Sequence, residues 1–344
     1  MASPTVSLVL GSGGARGYAH IGAIEELLAQ GYDIRCIAGS SMGALIGGIY
    51  AAGKLDAYRD WAVALQKFDV LRLLDWTFRG GGLIKGDRII DKLRELIGDV
   101  NIENLPLSYT AVAVDLLAQR EVWFSRGSLF EAVRASIAIP TVFRPHHYQG
   151  RTLVDGGLLN PVPVTPTLRD LTDCTIAVDV NAPAATLDED DTMERSPPLQ
   201  SHSDAIESPP AAAPPLLDPP PAPASNGTPD APAVDSDAAA PTRTYRQKIA
   251  AFVDGLTDKR EKKPEPESDP GILETFALSL DVVQETITRF RLAAQPPDLV
   301  IPVPRNACAF YEFHRAEELI ELGRARARAA LGHFQPRRRR GSLR

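Results

Sequence analysis

The sequence predicts an α/β protein with a mainly parallel central sheet covered by helices. Within the first 53 residues, a short buried strand, a loop and a helix occur twice in succession, a pattern typical of parallel sheets. Further buried strands recur later in the chain between helical stretches. With 344 residues, of which 44% are apolar, the chain is long enough to bury a sizeable core.

Residues 5–53 contain the two strand–loop–helix units. The run "TVSLVLG" (5–11) is β-branched and apolar and ends in glycine, which predicts a buried strand. The stretch "YAHIGAIEELLAQG" (18–31) has apolar residues at helical spacing. The second unit consists of a strand, "IRCIAG" (34–39), and a small-residue helix, "MGALIGGIYAAG" (42–53).

The remaining elements are assigned from the same periodicities. Residues 55–98 are predicted to be mostly helical, with an interruption at "RGGG" (79–82). After it we expect paired strands at 109–117 and 120–124, a helix at 129–140 stopped by Pro140, a strand at 151–157 that runs into a glycine turn, a strand at 174–180, a helix at 271–294, a strand at 297–304 and a helix at 313–331.

Residues 184–240 differ in composition from the rest of the chain. They are rich in proline, alanine and serine, and they hold 11 of the 44 acidic residues with a single basic residue, Arg195. Such a segment has too little apolar surface to fold, so we predict a disordered insertion spanning most of 184–270, whose role and protein partner are open. A weakly amphipathic helix at 244–256 within it fits either adsorption to a membrane surface or docking on the protein itself.

From the sequence we expect neither a signal peptide nor a transmembrane helix. It has no apolar run of 18 residues, and its N-terminus lacks the charge pattern of a signal peptide. Three cysteines far apart suit a reducing compartment and exclude a disulfide framework or a zinc knuckle. We expect a cytoplasmic protein, with peripheral contact at the inner membrane surface as an alternative. The basic tail at 335–344 is interpreted as solvated, and no nucleic-acid partner is expected.

The segment Gly39–Gly43 (Gly-Ser-Ser-Met-Gly) fits the G-x-S-x-G elbow of serine hydrolases. It lies between a predicted strand and a predicted helix, which is where such an elbow exposes a serine hydroxyl. Ser41 is therefore a candidate nucleophile, and the adjoining helix N-terminus would stabilise developing negative charge. The alternative interpretation is a glycine turn that packs the helix against the strand.

A second glycine cluster, "GSGGARG" (11–17), also lies at a strand-to-helix junction. It lacks the lysine of a P-loop, and Arg16 interrupts the dinucleotide-binding pattern. The remaining functional interpretation is an oxyanion hole formed by the backbone N–H groups of Gly13 and Gly14, with Arg16 facing a phosphate or carboxylate.

A nucleophilic serine needs a base. Of the six histidines (His20, His146, His147, His202, His314 and His333), His314 follows Asp155 and so preserves the Ser…Asp…His order of many hydrolases. Asp155 itself ends a predicted strand in "LVDGG", where Gly156 and Gly157 permit close approach of another loop. A carboxylate that meets the serine directly is the second candidate base.

Together, "GSGGARG", "GSSMG" and "DGG" resemble the motifs of the patatin-like phospholipase family, and most closely those of bacterial members related to neuropathy target esterase. The stretches "RASIAIPTVFRP" (134–145), "GGLLNPVPV" (156–164) and "FHRAEELIELG" (313–323) are similar to the same group. The resemblance covers about residues 5–183 and 271–331.

This resemblance implies a three-layer α/β/α fold and a Ser–Asp dyad without a catalytic histidine. Matched motif by motif, it makes Ser41 the nucleophile and Asp155 the base, with oxyanion amides from Gly13 and Gly14 and Arg16 beside them. The implied reaction is hydrolysis of acyl esters in phospholipid or lysophospholipid, without a metal or other cofactor. Two features depart from the family pattern: Ser12, where many members have glycine, and the insertion at 184–270.

Several alternatives stay open at this stage. An acyltransferase would use the same site, a Ser41–Asp155–His314 triad would use the same serine, and a non-catalytic scaffold would keep only the fold. An apolar cluster before residue 80 fits either core packing, which is favoured, or an acyl pocket or lid; it comprises Phe68, Leu71, Leu73, Leu74, Trp76 and Phe78. The lipid head group and acyl length leave no trace in the sequence.

Overall fold

The structure, a computed structural model, describes residues 3–69, 82–84, 87–184 and 272–336. These ranges contain strands β1 Thr5–Leu10, β2 Asp33–Ser40, β3 Gly82–Ile84, β4 Ser108–Asp115, β5 Arg120–Phe124, β6 Thr141–Phe143, β7 His146–Tyr148, β8 Arg151–Asp155, β9 Cys174–Ala182 and β10 Leu299–Pro304. They also contain helices α1 Ala19–Ala29, α2 Met42–Ala51, α3 Leu55–Ala64, α4 Asp87–Ile97, α5 Leu129–Ser136, α6 Ile272–Ala294 and α7 Ala316–Leu331, with short 3₁₀ turns such as Gly14–Tyr18 and Gly156–Leu158.

The central sheet is built around five parallel strands in the order β10-β9-β1-β2-β4. Strands β5, β8 and β7 extend it with antiparallel pairings, while β3 and β6 form a separate parallel pair. The repeated strand–loop–helix units at the N-terminus account for the parallel core, because a parallel neighbour requires a crossover connection.

Helices cover both faces of this sheet. On one face Val6, Leu8 and Leu10 of β1 join a large apolar cluster with residues of α1, α2 and α7. On the other face Val9 of β1 packs in a small cluster against which Leu292 of α6 lies. The predicted α/β architecture with a mainly parallel sheet between two helical layers is therefore confirmed.

Two strands meet end to end along one edge of β4. Strand β5 pairs with residues 111–115 of β4 and so occupies one of its two edges. The other edge pairs first with β2, which ends with Ser40 opposite Val112, and then with the antiparallel β8, which ends with Asp155 opposite Ala113. The C-termini of β2 and β8 therefore point at each other, and Ser41 follows directly at that junction.

Most predicted elements lie within a few residues of their observed bounds, but one helix end, three short strands and one side chain differ from the prediction. Helix α5 ends at Ser136 rather than at Pro140, because the N–H groups of Ala138 and Ile139 donate to Ala135 and Ile137 in tighter turns and Pro140 has no N–H to continue the helix. The three-residue strands β3, β6 and β7 were not predicted, since they are too short to show a period. Phe68 is 62% exposed, so core packing is wrong for that side chain.

Some predictions fall outside the described residues. These are the insertion from residue 185 onward, the helix at 244–256, His202, most of the basic tail, and the apolar side chains Leu71, Leu73, Leu74, Trp76 and Phe78. Among the residues that are described, no helix is long and apolar enough to cross a bilayer.

Candidate active site

Ser41 and Asp155 form a direct hydrogen bond at the junction of β2 and β8. The Ser41 Oγ hydroxyl donates to Asp155 Oδ2 over 2.6 Å, and both residues are almost completely buried. The other carboxylate oxygen, Oδ1, accepts the backbone N–H of Gly157 at 2.7 Å. The two hydrogen bonds orient the carboxylate so that one oxygen faces the serine.

The backbone at Ser41 is held in an unusual conformation. Ser41 has φ 54° and ψ −124°, outside the regions that L-residues commonly adopt, and α2 begins at the next residue. Such a sharp strand-to-helix turn lifts the serine hydroxyl out of the strand and places it at the positive end of the helix dipole.

Ser136 at the end of α5 holds this turn in place. Its Oγ accepts the backbone N–H of Ser41 at 2.9 Å and donates to the carbonyl oxygen of Val112 at 2.6 Å. All three groups are buried, so loss of the Ser136 hydroxyl would leave two backbone groups without partners. Ser136 is a positioning residue; it lies within the stretch 134–145 that resembles the family, but no role was predicted for it from the sequence.

Burial changes the acidity of Asp155. Desolvation raises the pKa of its carboxyl from 3.8 to about 7, even though the hydrogen bonds from Ser41 and Gly157 act in the opposite direction. A carboxylate with a pKa near neutrality accepts a proton more readily than an exposed aspartate does.

The three glycine motifs pack directly against one another. A Cβ on Gly43 would lie 2.0 Å from the Leu10 carbonyl oxygen, and one on Gly17 would lie 2.4 Å from the Met42 Cβ. A Cβ on Gly156 would lie 2.1 Å from the Val112 carbonyl oxygen and 2.7 Å from Oγ of Ser40, which belongs to the Gly39–Gly43 motif. These approaches leave no room for side chains, and they bring the start of α2 against both ends of the loop at 11–17.

The loop at 11–14 is held by hydrogen bonds that leave two amides unused. The Gly11 and Ser12 N–H groups donate to the carbonyls of Val178 and Pro161. Within the described part of the chain, neither the Gly13 nor the Gly14 N–H donates to a protein acceptor. Gly14 has φ +56°, a conformation that glycine adopts without strain.

Polar side chains from β9 and α6 fix the carbonyl side of the same loop. Asn181 Nδ2 donates to the Ser12 carbonyl at 2.8 Å, and the Ser12 hydroxyl donates to Gln284 Oε1 at 3.4 Å. The serine that departs from the family pattern is thus accommodated by a hydrogen bond to α6. Neither Asn181 nor Gln284 was predicted as a site residue, because no motif links residues this far apart in the chain.

Arg16 is buried and contacts other parts of the protein. Its Nη2 donates to Asp281 Oδ1 at 3.2 Å and its Nη1 donates to the Arg305 carbonyl at 2.9 Å. The carboxylate that Arg16 faces in the structure therefore belongs to Asp281 of α6. In this arrangement the guanidinium ties the glycine loop to α6 and to the segment that follows β10.

No histidine in the described residues hydrogen-bonds to Ser41 or Asp155. His20 is fully buried with its Nε2 2.8 Å from the Gly11 carbonyl oxygen, and desolvation lowers its pKa to about 4. At neutral pH His20 is therefore uncharged and donates from Nε2 to Gly11. His314 lies in the short turn just before α7, and burial together with nearby Lys67 lowers its pKa. The His314 triad has no support in these contacts.

The described residues contain no group of three or more His, Cys, Asp or Glu side chains arranged to hold a metal ion. The chemistry available at the Ser41–Asp155 junction is that of a hydroxyl, a carboxylate of raised pKa and unused backbone amides. That combination is suited to acyl transfer through a serine nucleophile.

Comparison with known proteins identifies the family to which the chain belongs. The profile of the family described as patatin-like phospholipase matches residues 8–168, a span that includes all three glycine motifs. An uncharacterized NTE family protein of Mycobacterium tuberculosis (strain ATCC 25618 / H37Rv) is 44% identical over 339 residues, covering 97% of this chain and 93% of the relative.

Two further matches are weaker, one in its coverage of the chain and the other in its structural similarity. The neuropathy target esterase of Drosophila persimilis is 33% identical over 166 residues, 46% of this chain and 12% of that protein. The crystal structure of VipD from Legionella pneumophila covers 93% of this chain and 67% of its own, with a TM-score of 0.35 and 13% identity, a likeness too weak to support a conclusion. Because the mycobacterial relative matches along almost the whole of both chains, the chain belongs to the patatin-like phospholipase family, within its group of NTE family proteins, and is supported as a lipid hydrolase by that membership.

Proposed function

We propose that the protein hydrolyses acyl esters of phospholipids or lysophospholipids through a Ser41–Asp155 dyad and an acyl-enzyme intermediate. The observation that carries this proposal is the 2.6 Å hydrogen bond from the Ser41 hydroxyl to the Asp155 carboxylate. Family membership supports lipid hydrolysis in general, and the dyad chemistry and the substrate class are the proposal's own additions.

In the first step the Ser41 oxygen attacks the ester carbonyl carbon while Asp155 accepts the hydroxyl proton. The carbonyl oxygen becomes an oxyanion, which the N–H groups of Gly13 and Gly14 are free to bind. Each such donor contributes roughly 3 kcal/mol in serine hydrolases. Collapse of the tetrahedral intermediate breaks the ester C–O bond, and the leaving alcohol takes the proton from Asp155.

In the second step water hydrolyses the acyl-enzyme. Asp155 removes a proton from the water as its oxygen attacks the acyl carbon, and a second oxyanion forms in the same place. Collapse releases the fatty acid and returns the proton from Asp155 to Ser41. The same carboxylate acts as base in both steps, so no histidine is required.

The raised pKa of Asp155 supports this assignment. With a pKa of about 7, the carboxylate is ionised in a substantial fraction of molecules at neutral pH and is still basic enough to take the serine proton. The hydrogen bond from Gly157 keeps Oδ2 aimed at Ser41. The elbow at Ser41, held by Ser136, keeps the hydroxyl oriented toward the carboxylate.

The test is release of fatty acid from lysophosphatidylcholine and phosphatidylcholine by the purified full chain. We expect Ser41→Ala and Asp155→Asn each to lose at least ~10³-fold in turnover, since removing a nucleophile or its partner costs more than that in other serine hydrolases. His314→Ala serves as the matched control and is expected to keep wild-type turnover. Circular dichroism establishes that each variant is folded.

Product analysis separates hydrolysis from transfer. Mass spectrometry in the presence of a second lysophospholipid acceptor reports whether the acyl group ends on water or on the acceptor. Predominant free fatty acid supports the proposal, and predominant acylated acceptor would replace it with acyl transfer at the same site. Normal turnover in Asp155→Asn would reject the dyad, and a severe loss in His314→Ala alongside the losses in Ser41→Ala and Asp155→Asn would favour the triad.

A further inference from the structure

Helix α6 packs Leu292 against the sheet, but its most buried side chains are polar and several of its apolar side chains are exposed. Among its described side chains, the most buried are Gln284 and Thr288, at 7% and 6% exposure. Gln284 Oε1 accepts hydrogen bonds from Ser12 and Asn181, which flank the candidate oxyanion loop. A surface helix of a water-soluble protein normally has the opposite arrangement, with its apolar side facing the core.

Ion pairs hold the polar side of α6 onto the fold. Asp281 pairs with the buried Arg16, and Arg291 at the other end of the helix pairs with Glu121 of β5. Glu285 between them pairs with Arg305, which follows β10. The inward orientation of the polar side is thus fixed at three points along the helix.

Four large apolar side chains lie on the opposite, outward side of α6. Leu278 is 53% exposed, Val282 60%, Val283 49% and Phe290 72%. With 3.6 residues per turn these positions fall within roughly half of the helix circumference. We call this outward side, with its other exposed residues, the α6 apolar face.

The hydroxyl groups on the rest of the α6 apolar face can be buried at low cost. Its remaining exposed residues are Thr275, Ser279, Thr286, Arg289, Ala293 and Ala294. The Ser279 hydroxyl donates to the Thr275 carbonyl at 2.7 Å, and the Thr286 hydroxyl donates to the Val282 carbonyl at 3.0 Å. Both hydroxyls already have acceptors within the helix, so covering them leaves no unpaired donor.

The exposed charge that the structure describes on this face is positive. Among its described exposed residues there is no carboxylate, and Arg289 is the single charged side chain, although the whole chain has a net charge of −7. A face that combines exposed Leu, Val and Phe with one cation is complementary to a lipid surface that carries negative charge.

We propose that the α6 apolar face is the surface by which the protein docks onto anionic lipid aggregates. This inference rests on the proposed function, since it gives a lipid hydrolase a place to meet an insoluble substrate. The polar side of the same helix contacts Ser12, and a Cβ on Gly157 would lie 2.7 Å from Gln284 Nε2. Docking on α6 therefore brings the end of the sheet that carries Ser41 and Asp155 close to the lipid.

A lipid surface fits this face better than a second copy of the chain does. A single helix presents a convex ridge, which can sink between deformable acyl chains and head groups. A protein partner would have to offer a complementary groove. Self-association is the competing outcome, and the experiment below measures it directly.

The experiment is flotation of the full chain with vesicles of phosphatidylcholine and phosphatidylglycerol in equal amounts. The test variant is Val282→Gln with Phe290→Gln. Both changes make an exposed position polar, and glutamine is uncharged and favours the helix. Leu171→Gln is the matched control. Leu171 is 90% exposed and precedes the start of β9, at the sheet end opposite to Ser41.

We expect wild type and Leu171→Gln to float with the vesicles. The double variant should bind at least ~10-fold more weakly, since each lost apolar contact weakens partitioning by about that factor. Circular dichroism and thermal unfolding check that the double variant folds. Light scattering measures whether either protein self-associates.

Absence of wild-type binding, or equal binding by the double variant, would overturn the proposal. So would a wild-type dimer that the double variant loses while vesicle binding is unchanged. Hydrolysis of a soluble short-chain ester by the wild type is measured in parallel. A protein that floats through α6 but hydrolyses no ester would refute the proposed function and leave docking standing, whereas an active protein that does not float would do the reverse.

Discussion

Replacement of Asp155 by asparagine should stabilise the protein at alkaline pH even as it abolishes turnover. Asp155 is fully buried, and its pKa is raised from 3.8 to about 7 by desolvation. Because the folded state holds the proton more tightly than the unfolded chain does, the carboxyl favours folding at low pH. That contribution is lost as the pH rises from about 4 to about 7, where ionisation must occur inside the protein.

The size of the effect follows from the shift. The pKa of Asp155 is higher by about three in the folded state than in the unfolded chain, and this difference corresponds to about 4 kcal/mol between the two protonation states. Asparagine is nearly isosteric and neutral. Its carbonyl oxygen can accept the Gly157 N–H while its amide donates to Ser41 Oγ. The variant minus wild-type difference in the free energy of unfolding should therefore grow by up to ~4 kcal/mol between pH 4 and pH 8.

The assay is urea unfolding of wild type and Asp155→Asn at several pH values between 4 and 8, with the difference between the two proteins plotted against pH. Thermal unfolding should show the gap in Tm widen by on the order of 10 °C over the same range. Ser41→Ala is the control. It keeps the buried carboxyl and loses only a hydrogen bond that lowers the carboxyl's pKa, so its stability should decline with pH at least as much as that of the wild type. A difference between wild type and Asp155→Asn that does not change with pH would refute the raised acidity and the reasoning built on it.

Three further predictions test other parts of the site. The kcat/KM for a soluble ester should rise with pH through a single ionisation near 7, because only ionised Asp155 accepts the serine proton; a flat profile would contradict this base. Ser136→Ala should lower kcat at least ~10-fold with KM little changed, as it frees the Ser41 N–H, and unchanged kcat in steady-state assays would remove its positioning role. Gly43→Ala should destabilise the fold by several kcal/mol, of order the cost of overpacking a rigid core, because its Cβ would lie 2.0 Å from a carbonyl oxygen of β1. The control Gly332→Ala, whose nearest neighbour would be 3.4 Å away, should unfold as wild type in denaturant, and equal Tm values for the two variants would contradict the close packing.

The parallel core was predictable because its signals are local. Strands β1 and β2 are apolar runs bounded by glycine, and α1 and α2 carry their own helical spacing. By contrast, the pairing of β8 with the edge of β4 joins residues about 40 positions apart. That register places Asp155 beside Ser41, and no periodicity in either strand encodes it.

The sequence predicted the two reacting residues of the candidate site, but it did not predict the residues that hold them in position. Glycine motifs identified Ser41 and Asp155, because close backbone approach demands glycine wherever it occurs in sequence. Ser136 was not singled out, since a serine at a helix end is commonplace and its two partners lie on other elements. Helix α6 was predicted as a helix, but its inward polar side depends on contacts with Arg16, Ser12 and Asn181 from distant parts of the chain.

The central claim is that Ser41 is an activated nucleophile, and labelling with a fluorescent fluorophosphonate tests it most directly. Purified wild-type protein, Ser41→Ala and Asp155→Asn are treated side by side and compared on a gel. The account predicts strong labelling of the wild type, none of Ser41→Ala and greatly slowed labelling of Asp155→Asn. A folded wild type that takes up no label, or a Ser41→Ala variant that labels as well as wild type, would contradict it.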